Sequence, residues 1–170
     1  MKLLQNIHAF DVATFERCHN FKYYRSISKA SRWVSKSADG QLYAIAAMFM
    51  AVYGYVNFLP KVFAAFAIER STYYFLKNRF KRNRPPQALP NFQSLVIPSD
   101  QFSFPSGHTS AAFMMALLLG SLFPAVYYLL LCWASTVGLS RVMLGVHFPT
   151  DIVAGASLGS ACSLLVLNAF

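Results

Sequence analysis

The chain is predicted to be all-α: a membrane helical bundle of about five transmembrane helices, preceded by an N-terminal interfacial helical segment. Three observations carry this. Hydrophobic residues make up 56% of the sequence and charged residues only 12%, about half the charged share of a soluble domain. The apolar residues gather in runs that approach the roughly 20 residues needed to cross a bilayer. The basic excess, a formal net charge of +9, falls in a few segments between those runs. That distribution suits anionic headgroups and an anionic ligand, and it argues against a nucleic-acid partner.

Residues 1–39 form the N-terminal segment, and residues 40–170 the membrane domain. The first segment has loosely helical apolar spacing and seven basic residues, Lys2, Arg17, Lys22, Arg25, Lys29, Arg32 and Lys36. With Trp33 and the Tyr23–Tyr24 pair it reads either as one or two helices lying on the membrane surface or as a short cap on the bundle. No cleavable leader is visible, so the first span is expected to direct insertion itself. Residues 40–60 lack Asp, Glu, Lys and Arg and form the first expected span. Residues 62–76 form the second. They carry Glu69 and Arg70, which should face the bundle interior or an interface.

Residues 77–105 are polar and hold five prolines, so no long helix is expected there. From 101 to 140 the chain again lacks Asp, Glu, Lys and Arg, and Pro124 divides this stretch into spans at 107–123 and 125–140. A last span covers 151–169. Cys18, Cys132 and Cys162 have no metal-ligand spacing and read as small apolar side chains.

Three polar clusters sit at span ends on one membrane face, since each follows an even number of crossings. The first runs from Lys77 to Arg84-Pro85. The second is Pro105-Ser106-Gly107-His108. The third is Ser140-Arg141, then His147, then Asp151. Each alone has a plainer explanation: a headgroup-anchoring basic run, a helix start capped by Ser106, and a first-turn acid favoured by the helix dipole. Together they make a phosphate site. Lys77, Arg84 and Arg141 supply positive charge, and the arginine fork matches phosphate oxygens. Ser106 and Gly107 lie where a helix begins, and free N–H groups there bind anions. His147 and Asp151 stand four apart, within reach on one helical turn. A carboxylate on one ring nitrogen leaves the other free as a nucleophile. His108 is then the spare acid–base group.

In these three motifs the chain resembles the type-2 phosphatidic acid phosphatase family, whose wider superfamily includes vanadium-dependent haloperoxidases. Lys77-x6-Arg84-Pro85, Pro105-Ser106-Gly107-His108 and Ser140-Arg141-x5-His147-x3-Asp151 match the family pattern without substitution. The resemblance implies a lipid phosphatase in which His147 attacks phosphorus and Asp151 orients it. His108 would protonate the leaving group and later activate water. Lys77, Arg84, Arg141, Ser106 and Gly107 would hold the phosphoryl oxygens. It implies no metal and no cofactor, and inhibition by vanadate. Many members have six spans, whereas this chain offers its surface segment in place of the first.

The expected setting is a bacterial cytoplasmic membrane crossed several times. Family members of the envelope type usually work on its outer face. Here Lys61 is the only cation on the side opposite the motifs, and Arg70 lies within a span. The positive-inside rule therefore points to a cytoplasm-facing site, even with Lys77, Arg84 and Arg141 discounted. The expected partners are membrane lipids and a lipid phosphate substrate. Candidates are a polyprenyl diphosphate such as undecaprenyl diphosphate, phosphatidic acid, or phosphatidylglycerol phosphate. Two other readings are a vanadium haloperoxidase and a catalytically silent lipid-binding or transport protein. The apolar spans oppose the first, and the presence of both histidines and the aspartate opposes the second.

Overall fold

The computed structural model describes residues 2–98 and 100–169. Eight α-helices follow in order: α1 (Lys2–His19), α2 (Tyr24–Lys36), α3 (Gly40–Val52), α4 (Leu59–Phe80), the single turn α5 (Pro85–Ala88), α6 (Gly107–Leu122), α7 (Tyr127–Met143) and α8 (Pro149–Ala169). No strand occurs among the described residues. Helices α6 and α8 form the axis of the bundle, with α7 and α4 on either side.

Their close approach depends on two glycines one turn apart. A β-carbon on Gly155 would lie 2.5 Å from the Ser106 carbonyl oxygen, and one on Gly159 would lie 2.0 Å from that of Ser110. Neither position tolerates a side chain unless the helices separate. Ser163 Oγ donates to the Met114 carbonyl at 2.8 Å, tying the same pair further along. Below the motifs, Met50, Val62, Met114, Met115, Leu118 and Val166 fill the core.

The outer surface is also apolar. Ile45, Met48 and Val52 on α3, Phe63 and Phe75 on α4, Leu129 and Leu139 on α7, and Val153, Leu164 and Leu165 on α8 are all exposed. Apolar faces this extensive mark a surface covered by something other than water.

Two expected boundaries change. The run 40–60 was expected to be one span, but α3 stops at Val52. Gly54, at φ +85°, reverses the chain just beyond it. At about 1.5 Å per residue α3 rises only about 20 Å. Conversely, α4 is longer than the expected 62–76. It starts beside Pro60, which is tolerated in a first turn, and ends where Lys81 adopts a left-handed conformation. The segments Pro124–Met143 and Pro149–Ala169 are long and apolar enough to cross a membrane, while α3 and α6 are shorter apolar helices.

The N-terminal segment docks onto the bundle. Asp11 and Phe15 on α1 are fully buried, and Phe15 packs against Phe92 and Phe148. Helix α2 presses Ser28, Ser31 and Ser35 inward along α7. Trp133 Nε1 donates to Ser37 Oγ at 2.8 Å.

Candidate active site

The three motifs converge at one end of the bundle. Lys77 comes from the last turn of α4, Arg84 immediately precedes α5, Ser106 immediately precedes α6 without a capping side-chain bond, Arg141 lies in the last turn of α7, and Asp151 lies in the first turn of α8. A cavity of about 470 Å³ is lined by Arg84, Asp100, Gly107, His108, Arg141 and His147.

His147 is not on a helical turn with Asp151. It lies in the turn between α7 and α8, held by backbone hydrogen bonds around Gly145. The pair still meet: His147 Nδ1 is 3.6 Å from Asp151 Oδ2. That is longer than a hydrogen bond, and Nδ1 is buried without a partner. Asp151 Oδ2 instead accepts from the Phe148 N–H at 2.8 Å. On the other edge of the ring, Nε2 stands 3.4 Å from Arg84 Nη1. Burial pushes the imidazole down to about 3, against the pull of Asp151, and the charges of Arg84 and Arg141 push the same way. The ring is therefore neutral at ordinary pH, with a lone pair available.

Arg84 is buried and anchored by a bond to the Val146 carbonyl at 2.7 Å. Arg141 is 6% exposed. Its Nη1 donates to Ser35 Oγ of α2 at 2.5 Å, and its Nε has no partner. Ser106 Oγ is 2.9 Å from Thr109 Oγ1 and is fully buried. Gly107 sits where a β-carbon would meet the Tyr73 ring at 2.9 Å. His108 Nε2 lies 3.0 Å from Asp39 Oδ1, a residue at the junction of α2 and α3.

Besides Asp39, further participants lie outside the motif positions. The first is Asp100. Its carboxylate accepts from Lys77 Nζ at 2.6 Å, from Arg84 Nη2 and from Tyr73 Oη. It thus occupies donors that would otherwise be presented to a phosphate. Burial opposes its charge, but the Lys77 and Tyr73 hydrogen bonds and the Arg84 charge prevail and hold the carboxyl well below the usual range. The others are Arg82, Asp11 and Thr150. Arg82 Nη1 donates to Asp151 Oδ1 at 2.9 Å and to Thr150 Oγ1 at 2.7 Å, while its Nη2 meets Asp11 Oδ2 at 2.5 Å. Asp11 also accepts from the Thr150 N–H at 3.0 Å. The far side of Asp151 is thereby fixed through Arg82 to the first helix. Glu69, fully buried, bonds Arg70 and Ser110 Oγ.

The spacing of the motifs could not reveal these partners, but composition held a signal. The chain has only six Asp and Glu; Asp11, Glu69, Asp100 and Asp151 each pair with an arginine or lysine, and Asp39 meets His108. In a chain this poor in acids, each one is a candidate partner for a functional cation or imidazole.

The chain is similar to known proteins in fold and in sequence. The structure is similar to that of LpxE from Aquifex aeolicus, with a TM-score of 0.83 and 25% identity, covering 94% of this chain and 95% of that one. In sequence the chain is 29% identical over 144 residues to the bacitracin transport permease protein BcrC of Bacillus licheniformis, covering 85% of this chain. It is 43% identical over 70 residues to a lipid A 1-phosphatase of Rhizobium johnstonii, covering 40% of this chain. The chain spans 64% of the length of the first of these relatives and 28% of the second. The model of the PAP2 superfamily matches residues 58–170, which include every motif residue that lines the cavity, and the chain belongs to that superfamily.

Proposed function

We propose that this protein is an integral-membrane, metal-independent lipid phosphatase working through a phosphohistidine. The observation that carries the reading is the buried His147, whose Nε2 stands 3.4 Å from Arg84 Nη1 in a cavity also lined by Arg141 and His108, with Lys77 joined to Arg84 through Asp100. Nε2 attacks the phosphorus, and the ester or anhydride oxygen departs with a proton from His108. The imidazole becomes positively charged as the N–P bond forms, and Asp151 offsets that charge. Water, deprotonated by His108, then attacks the phosphorus; the N–P bond breaks and orthophosphate leaves. Lys77, Arg84 and Arg141 neutralise the equatorial oxygens throughout, the task a divalent ion performs in other phosphoryl-transfer sites. Ser106 and Gly107 contribute the backbone at the start of α6.

The outward apolar side chains support a multi-pass protein of a bacterial membrane, with residues 1–39 at the headgroup surface. The charge bias supports a cytoplasm-facing site. A polyprenyl diphosphate or a glycerolipid phosphate is the substrate class. Orthophosphate release by purified protein across a lipid panel, with chelator present, tests the reading. Turnover should survive chelation and fall by about three or more orders of magnitude in His147→Ala. Unchanged release by that variant would remove the nucleophile assignment.

A further inference from the structure

A second cavity, of about 690 Å³, adjoins the first and shares Asp39, His108 and Arg141 with it. On α2 its wall is Lys29, Arg32, Trp33 and Lys36, at the i, i+3, i+4, i+7 spacing of one helix face, with Ser35 beside them. The adjoining face of α2 buries Ser28, Ser31 and Ser35 toward α7, while Lys29, Arg32 and Lys36 are exposed. Across the gap lies the 95–97 segment, where the Leu95 carbonyl accepts from Arg32 Nη2 at 3.1 Å.

The electrostatics of this cavity are one-sided. Four cations line it against one carboxylate, Asp39. Among the described residues Lys29, Arg32, Lys36 and Arg141 form no ion pair. Arg141, almost wholly buried, has its Nε unpartnered at the junction of the two cavities. Four cations lining one cavity beside a single carboxylate favour an anion between them.

Its position relative to the chemistry says which anion. The transferred phosphoryl is a bare group seated beside His147, so everything else in the substrate belongs to the leaving group. That group departs past His108, which borders both cavities. We infer that the second cavity is a subsite for another phosphate, carried by the leaving group, so that the preferred substrate is a lipid with two phosphates. This rests on the phosphatase reading of the same site and narrows it to diphosphate lipids over simple monoesters.

The test compares binding of farnesyl diphosphate and farnesyl phosphate to the full chain in neutral detergent micelles, where no anionic surface competes. The parent is the His147→Ala variant, which prevents turnover. The parent should prefer the diphosphate, and Lys29→Gln, Arg32→Gln and Lys36→Gln combined should reduce that preference at least about tenfold. A preference that stays within about twofold of the parent, or a parent with none, overturns the subsite. Phosphate release by the unaltered chain is measured separately. If it fails while the binding preference responds to the substitutions, the phosphatase reading falls and the two-phosphate site stands.

Discussion

Asp100 offers the sharpest test of how the cradle works. A carboxylate and a phosphate dianion about 5 Å apart at an effective dielectric of about 20 repel by roughly 7 kcal/mol, so the two cannot share Lys77 and Arg84. The carboxylate must swing away for phosphate to enter, breaking charge-assisted bonds worth about 1.5–3 kcal/mol each. Its side chain is 33% exposed, so water returns part of that loss. The remainder is on the order of 2 kcal/mol, about thirtyfold in affinity. Asp100→Asn should therefore bind orthophosphate or vanadate about thirtyfold more tightly than the parent, by calorimetric titration in detergent. Asp100→Glu should behave like the parent. The same Asn variant should melt at a lower temperature without ligand, since Lys77 and Arg84 lose their counter-ion, and gain more on adding phosphate. Equal or weaker anion binding by Asp100→Asn would refute the idea that this carboxylate competes with the ligand.

Three other outcomes follow from the geometry. Arg82→Gln or Asp11→Asn should lower kcat about 10- to 100-fold with little change in KM, because both act on Asp151 and not on the lipid; Arg82→Lys should restore part of the loss. Gly159→Leu should separate α6 from α8 and abolish activity in protein that still inserts, whereas Gly40→Ala, with open space around it, should leave activity near the parent's. Because burial lowers His147 from 6.5 to about 3, the unfolded chain takes up a proton there that the native protein refuses. Stability should fall as pH drops below about 6.5, by up to about 1.4 kcal/mol per unit until about 3. Melting curves of His147→Asn between pH 7 and 4 should show a shallower slope than the parent's.

The sequence exposed whatever was local. Ser106-Gly107-His108 begins a helix, and Arg141, His147 and Asp151 bracket one turn, so short spacings were enough to place them on one membrane face. Helix α3 escaped because an uncharged run says nothing about where a backbone reverses, and Gly54 reverses it. The partners of the motif residues escaped for a different reason. Asp39 meets His108 across 69 positions, and Arg82 meets Asp11 across 71; no periodicity encodes a contact at that distance. Asp100 was the most accessible of them, as the only acid between residues 77 and 105.

The bond from Asp11 to the Thr150 amide closes a loop of 139 positions, with consequences for biogenesis. Contacts so remote along a chain form late. A polypeptide emerging from the ribosome makes its first helix long before the segment that carries Asp151 exists. Until the segment carrying Asp151 is in place, α1 has nothing to clasp, and the carboxylate that meets His147 lacks its support from Arg82 and Asp11. The clasp between α1 and the start of α8 therefore closes late in folding, after both segments have been made.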